Sequence, residues 1–178
     1  MKRYGKSGNK EKYAFYHKRQ LVQKILLNSL YGVLGLPAFR FYDVDNAEAV
    51  TTTGQTVIKS TADMANIKYN KELNTPDADS NIYIDTDSVF FSAVPLMDKR
   101  YPNWKEQDQD IAEEMQDYLN DFYNILAKRI FNVDKDKHRL EIKKEYVAKA
   151  GLWIAKKRYA QWIISDNGVP VDKLDVKG

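Results

Sequence analysis

Two β-type runs, Asn81-Ile82-Tyr83-Ile84 and Val89-Phe90-Phe91, are separated by only four residues, Asp85-Thr86-Asp87-Ser88. So short a gap between two strand-forming runs predicts a hairpin, because Asp and Ser favour the turn between them. Two carboxylates, Asp85 and Asp87, then stand two residues apart at a tip held by strands. Mg²⁺ is a hard octahedral cation that takes one or two carboxylates and leaves its other positions to water and phosphate oxygens. Two such ions can clamp the attacking and leaving oxygens of an in-line phosphoryl displacement. Taken alone, Asp-x-Asp is also the wording of an ordinary polar turn.

A second box lies upstream, Lys24-Ile25-Leu26-Leu27-Asn28-Ser29-Leu30-Tyr31-Gly32. Gln20, Lys24, Asn28 and Tyr31 are spaced four, four and three apart, which places them on one side of a helix. Leu21, Val22, Ile25, Leu26 and Val33 form the apolar remainder, the mark of a helix docked on another surface. The polar stripe offers one cation, two amides and one aromatic ring, a lining suited to a triphosphate and a base. An amphipathic helix turned to water shows the same stripe. Gly32 and Gly35-Leu36-Pro37 predict the helix end, as a Gly C-cap followed by Pro would. A nucleotide-binding stripe followed by a carboxylate turn points to template-directed nucleotidyl transfer.

These two boxes resemble motifs B and C of B-family DNA polymerases, K-x-x-x-N-S-x-Y-G and Y-G-D-T-D-S. Lys156-Lys157-Arg158-Tyr159 matches the family's K-K-R-Y primer-strand motif, and Thr51-Thr52-Thr53-Gly54-Gln55 resembles its T-x-x-G-R box. Lys173-Leu174-Asp175-Val176-Lys177-Gly178 resembles the K-G element that precedes the thumb. All occur in family order. The wording of Asn28-Ser29-Leu30-Tyr31-Gly32, Phe41-Tyr42-Asp43 and Gly54-Gln55 is most similar to T-even-type phage replicative polymerases. The resemblance runs from about residue 12 to 178. Three departures stand out: Ile84 replaces the Gly before Asp-Thr-Asp, Gln55 replaces the commoner Arg, and Ile154-Ala155 replaces Thr-Gly. Motif A, D-x-x-S-L-Y-P-S, which supplies the other metal-binding Asp, has no counterpart before Lys24.

The resemblance implies an α+β fold: a polymerase palm with an antiparallel sheet and packed helices, plus part of the helical fingers. It assigns residues 1–36 to the C-terminal half of the fingers and 37–178 to the palm, without thumb, exonuclease domain or motif A. Asp87 becomes the principal metal ligand, with Asp85 a weaker ligand or a carboxylate behind it. Lys24, Asn28 and Tyr31 become the dNTP-binding residues, with Lys24 also a proton donor to pyrophosphate. Gly32 permits close backbone approach to the base pair. Lys156, Lys157, Arg158 and Tyr159 become primer-strand contacts, and such contacts position DNA without reading its sequence. Thr52, Gly54 and Gln55 are either DNA-backbone contacts or part of a buried small-residue helix. Glu145 is either an auxiliary acid near the metals or a surface ion-pair partner.

The implied cofactor is Mg²⁺ in a two-metal mechanism, with Mn²⁺ as a substitute. The implied partners are primer–template DNA, dNTP, a polypeptide carrying motif A, and a sliding clamp. Three functional classes follow: a piece of a polymerase, one subunit of a split polymerase, or an inactive nucleic-acid-binding remnant. Reverse transcriptases fit less well, since they usually place two Asp residues side by side.

Composition agrees. A chain of 178 residues has room for one real core, and 43% hydrophobic with 30% charged residues is the balance of a soluble globular protein. There is no cysteine, hence no disulfide or Cys-based zinc site. No apolar run reaches membrane-spanning length, and the expected location is the cytoplasm, of the host cell for a phage protein. Net charge is only +3, but it is unevenly spread. Lys2, Arg3, Lys6, Lys10, Lys12, Lys18, Arg19 and Lys24 open the chain, and Lys143, Lys144, Lys149, Lys156, Lys157 and Arg158 form a second basic run. The stretch 106–121 is acidic. Basic runs opposite an acidic one suit a nucleic-acid enzyme. His17 and His138 lack ligand-like spacing.

Patterning predicts helices over 12–34, 45–73 and 108–131. Asp45-Asn46-Ala47-Glu48 reads as the capping box of the second. Ile111, Met115, Leu119, Phe122, Leu126 and Ile130 form the apolar stripe of the third. Strands are predicted over 140–148 and 153–164, and Asp166-Asn167-Gly168 signals a hairpin turn.

Overall fold

The computed structural model describes residues 10–101, 103 and 110–178. Four α-helices are described: α1 (Lys10–Gly32), α2 (Val44–Leu73), α3 (Val94–Arg100) and α4 (Asp110–Phe131). Five strands, β1 (Asn81–Asp85), β2 (Ser88–Phe91), β3 (Tyr146–Ala155), β4 (Arg158–Asp166) and β5 (Val169–Lys177), complete an α+β fold. The expected basic residues Lys2, Arg3 and Lys6, and the predicted start of the third helix at Asp108, lie outside the described residues. The chain divides into two compact units, Met1–Gly54 and Gln55–Gly178, with the division inside α2.

In the first unit, α1 runs straight into a 3₁₀ turn, Val33–Gly35. Gly32 keeps right-handed helical angles, φ −62° and ψ −37°, so the predicted left-handed Gly cap does not form; the helix tightens into the 3₁₀ turn instead. None of α1 is buried, and Val22, Leu26 and Leu30 are each more than 60% exposed (64%, 68% and 63%). The apolar stripe is present and exposed. The cap of α2 also differs from expectation. Asp43, not Asp45, receives the Asn46 N–H at 3.0 Å, and its other carboxylate oxygen receives Asn46 Nδ2 at 2.6 Å. Asp43 therefore takes the N-cap position, one residue before Val44.

In the second unit the core joins α2, α3 and α4 through Ala65, Tyr69, Leu96, Met97, Ile111, Met115 and Leu119. The short α3, with Pro in its first turn, lies outside the helices that periodicity predicts. On α4, Ile111, Met115, Leu119 and Leu126 are buried as predicted, but Ile130 is exposed and Tyr123 and Ala127 are buried instead. A Thr61–Tyr123 hydroxyl hydrogen bond of 2.8 Å joins α2 to α4 inside this interface. Arg100 of α3 bridges Glu72 of α2 and Glu114 of α4, and Lys68 joins Glu114 at 2.6 Å.

The strands form two antiparallel sheets, β1-β2 and β3-β4-β5. Residues 140–145 are not the predicted strand. Their backbone pairs with side chains of α4: Ile142 N–H donates to Asn120 Oδ1 (2.9 Å), Asn120 Nδ2 donates to the Ile142 carbonyl (3.0 Å), and Lys144 N–H donates to Gln116 Oε1 (2.8 Å). The predicted strand over 153–164 is a hairpin, because the chain reverses at Lys156-Lys157 with Lys157 at φ 61°. The turn at Asn167-Gly168 forms as expected, both residues having positive φ, 50° and 77°. Gln161, Ile163 and Ser165 of β4 are buried, while Leu152, Leu174 and Val176 stand exposed on the alternate positions.

Candidate active site: two hairpin tips in contact

The β1-β2 turn is built as the spacing requires. Asp85 pairs with Ser88, leaving Thr86 and Asp87 at the tip. The Asp87 N–H reaches back to the Asp85 carbonyl at 2.6 Å, a three-residue turn centred on Thr86 at φ 53°. That is a strained angle for a β-branched residue, and strain of this kind tends to collect at functional sites. Ser88 Oγ also donates to the Asp85 carbonyl (3.1 Å), and Thr86 Oγ1 donates to Asp85 Oδ1 (3.0 Å). Both carboxylates are thus held by backbone at fixed spacing, and Asp87 is exposed. Two hard oxygen donors on a stiff support, open on one side, suit a Mg²⁺ ion that retains water and phosphate ligands. Among the described residues no group of three or more His, Cys, Asp or Glu side chains is placed to hold a metal.

The β3-β4 turn meets β1 two residues before this tip. Alternation puts Tyr83 and Asp85 on one face of β1, and Tyr83 Oη accepts the Lys157 backbone N–H at 2.7 Å. Below that bond, Tyr83, Phe90, Trp153 and Tyr159 form a cluster of rings. Tyr83 lies 6.0 Å from Phe90 and 5.5 Å from Tyr159, and Phe90 lies 5.9 Å from both Trp153 and Tyr159 (centroid distances). Pairs at this range add to what their buried area contributes. A Cβ on Gly151 would overlap the Trp153 indole, so a larger residue there would have to displace that ring. Burial is the main cause pushing the Tyr159 phenol above its ordinary value; Lys177 pulls it down, and Asp175, Tyr83 and Asp85 push it up. The hairpin that carries Asp85 and Asp87 and the Lys156-Lys157-Arg158-Tyr159 turn are therefore neighbours.

The other candidates are placed as follows. Lys24, Asn28, Tyr31 and Gly32 lie along the exposed α1, whose continuous helix keeps Gln20, Lys24, Asn28 and Tyr31 to one side. Space above Gly32 and Gly54 is open, with no atom within 4 Å of a Cβ built on either. Thr52, Gly54 and Gln55 are exposed on α2. The Thr52 hydroxyl donates to the Glu48 carbonyl at 2.9 Å. Glu145 is not beside the carboxylates. It precedes β3 at the end of the sheet opposite Lys157, and a ten-residue strand spans roughly 33 Å. Its carbonyl accepts the Asn167 N–H at 2.6 Å. Ile84 points to the face of β1 away from Tyr83 and is 38% exposed, so its bulk does not enter the contact between the tips.

A profile of DNA polymerase family B matches residues 2–178. The DNA-directed DNA polymerase of Enterobacteria phage T4 is 34% identical over 155 residues, covering 79% of this chain and 17% of that protein. That of Escherichia phage RB69 is 30% identical over 177 residues, covering 89% and 19%. A DNA polymerase of Thermococcus gorgonarius is 30% identical over 160 residues, covering 90% and 16%. The chain belongs to DNA polymerase family B, and it spans less than a fifth of the length of these relatives. No helix among the described residues is long and apolar enough to cross a membrane.

Proposed function

We propose that this chain carries the nucleotide-facing fingers helix (within 1–36) and the motif C part of the palm (within 37–178) of a DNA polymerase. Its role would be addition of a dNTP to a primer 3′-hydroxyl with release of pyrophosphate. The observation that carries the reading is the hydrogen bond from the Lys157 N–H, in the Lys156-Lys157-Arg158-Tyr159 turn, to Tyr83 Oη, on the strand that carries Asp85. Asp87, with Asp85, would hold Mg²⁺, for which Mn²⁺ can stand in. When bound, the ions neutralise charge on the phosphate oxygens and favour the ionised primer hydroxyl. Lys156, Lys157 and Arg158 would hold primer phosphates beside these carboxylates, with Tyr159 supporting them. Lys24 and Asn28 would bind the triphosphate, Lys24 passing a proton to the departing pyrophosphate. Tyr31 and Gly32 would bound the nascent base pair, and Thr52, Gly54 and Gln55 would contact the DNA backbone.

A further carboxylate would come from a polypeptide segment carrying motif A, in the same protein or a partner. Exposed Ile82 and Ile84 on the two-stranded β1-β2 sheet give such a segment an apolar face to cover. The sliding clamp and a cytoplasmic location, in the host for a phage protein, belong to the same proposal. The alternative reading is an inactive duplex-binding remnant. Primer extension separates the two. The chain is mixed with a motif-A-bearing polypeptide, primer–template, dNTP and Mg²⁺. Extension that Asp87→Ala abolishes supports the polymerase reading. Duplex binding with no extension supports the remnant.

A further inference from the structure

We propose that Tyr83 is a positioning residue that sets the register between bound DNA and the carboxylate pair. The inference rests on the nucleic-acid reading above for what the second turn holds. Its basis is the Tyr83 Oη to Lys157 N–H bond of 2.7 Å between residues 74 positions apart. Lys157 is at φ 61°, a region that a Lys side chain disfavours, so its turn needs an external restraint to keep that shape. Tyr83 supplies the restraint, and the same strand continues two residues later into Asp85. The Tyr83 ring is itself wedged between Phe90 and Tyr159. A displacement of one turn is thereby passed to the other through a single hydrogen bond and a packed ring. The cations of Lys157 and Arg158 then reach DNA from a backbone fixed relative to Asp85 and Asp87.

Tyr83→Phe keeps the ring and removes only the hydroxyl, with no change of charge. The test is duplex affinity of the full chain against salt, measured for wild type, Tyr83→Phe, Lys157→Ala and the double variant. Each phosphate contact contributes about 0.9 to the slope of log K against log salt. Tyr83→Phe is expected to flatten the slope by about one such contact, as Lys157→Ala does. The double variant should lose little more, the signature of coupled residues. Faster exchange of the Lys157 amide in Tyr83→Phe should accompany the loss. A residue that only supported the fold would lower the melting temperature and leave the slope alone. An unchanged slope in Tyr83→Phe, or additive losses in the double variant, overturns the proposal while leaving the nucleic-acid reading intact. Wild-type chain that binds no duplex overturns both.

Discussion

Lys24, Asn28 and Tyr31 stand on a helix with no buried residue, whereas Asp85, Asp87 and Lys157 stand on turns fixed by strands and four packed rings. The first set owes its arrangement to helical periodicity alone. The second owes it to long-range packing and one hydrogen bond across 74 residues. On the proposed roles, the difference matches two chemical demands. A metal pair tolerates little error in ligand spacing, so its support belongs to the backbone of stiff turns. A triphosphate is long and multiply charged, and a stripe of cation and amides on one helix can follow it.

The sharpest way to break this comparison is at the carboxylates. Asp87→Ala is expected to lower primer extension by the complemented chain at least about a hundredfold, the scale on which one electrostatic stabiliser of a transition state acts. Retained extension would remove the metal role from the hairpin. Lys24→Ala should weaken dNTP use far more than duplex binding, measured as the KM for dNTP beside the Kd for DNA. Equal losses in both would argue against a triphosphate role for α1.

Stability should divide along the same line. Leu96 is 1% exposed in the core shared by α2, α3 and α4, and Leu96→Ala should cost about 2–5 kcal/mol in denaturant unfolding. Leu26 of α1 is 68% exposed, and Leu26→Ala should change stability by less than about 0.5 kcal/mol. A large loss from Leu26→Ala would mean that α1 is packed in solution.

Much of this was legible in the residues, and what was not has particular causes. The β1-β2 hairpin, the Asn167-Gly168 turn and the span of α2 follow from short-range signals: turn residues between β-branched and aromatic runs, and apolar positions at helical spacing. The α2 cap was misplaced by two residues because Asp43 and Asp45 carry the same side chain, and only the backbone trajectory selects between them. The segment 140–145 has strand-like residues, but Asn120 and Gln116 of α4 satisfy its backbone, a tertiary choice that no local pattern records. The hairpin within 153–164 was hidden because Lys157, a poor turn former on its own, is held at positive φ by Tyr83. The carboxylates were therefore readable, but the contact that Tyr83 of the same strand makes with the second turn was not.

A small, pH-dependent effect concerns the polar bracket around the same core. Arg100 hydrogen-bonds Glu72 and Glu114, and Lys68 also binds Glu114. The hydrogen bond from Arg100, reinforced by that from Lys68, lowers the Glu114 carboxyl from 4.5 to about 2. Glu72 is lowered as well, first by its hydrogen bond to Arg100. A carboxyl lowered on folding binds fewer protons in the folded chain than in the unfolded one. Its stabilisation is therefore complete above the unfolded value near 4.5 and fades as pH falls toward about 2. Glu114 is 45% exposed at its side chain, so solvent screening holds its share to about 1 kcal/mol or less. Glu114→Gln should show a shallower loss of stability between pH 4.5 and 2 than the parent chain, with little difference in slope near neutrality. Unfolding midpoints across that window measure it. Parallel profiles for the two chains would mean that apolar packing around Leu96 and Met115 holds α2, α3 and α4 together without help from the bracket.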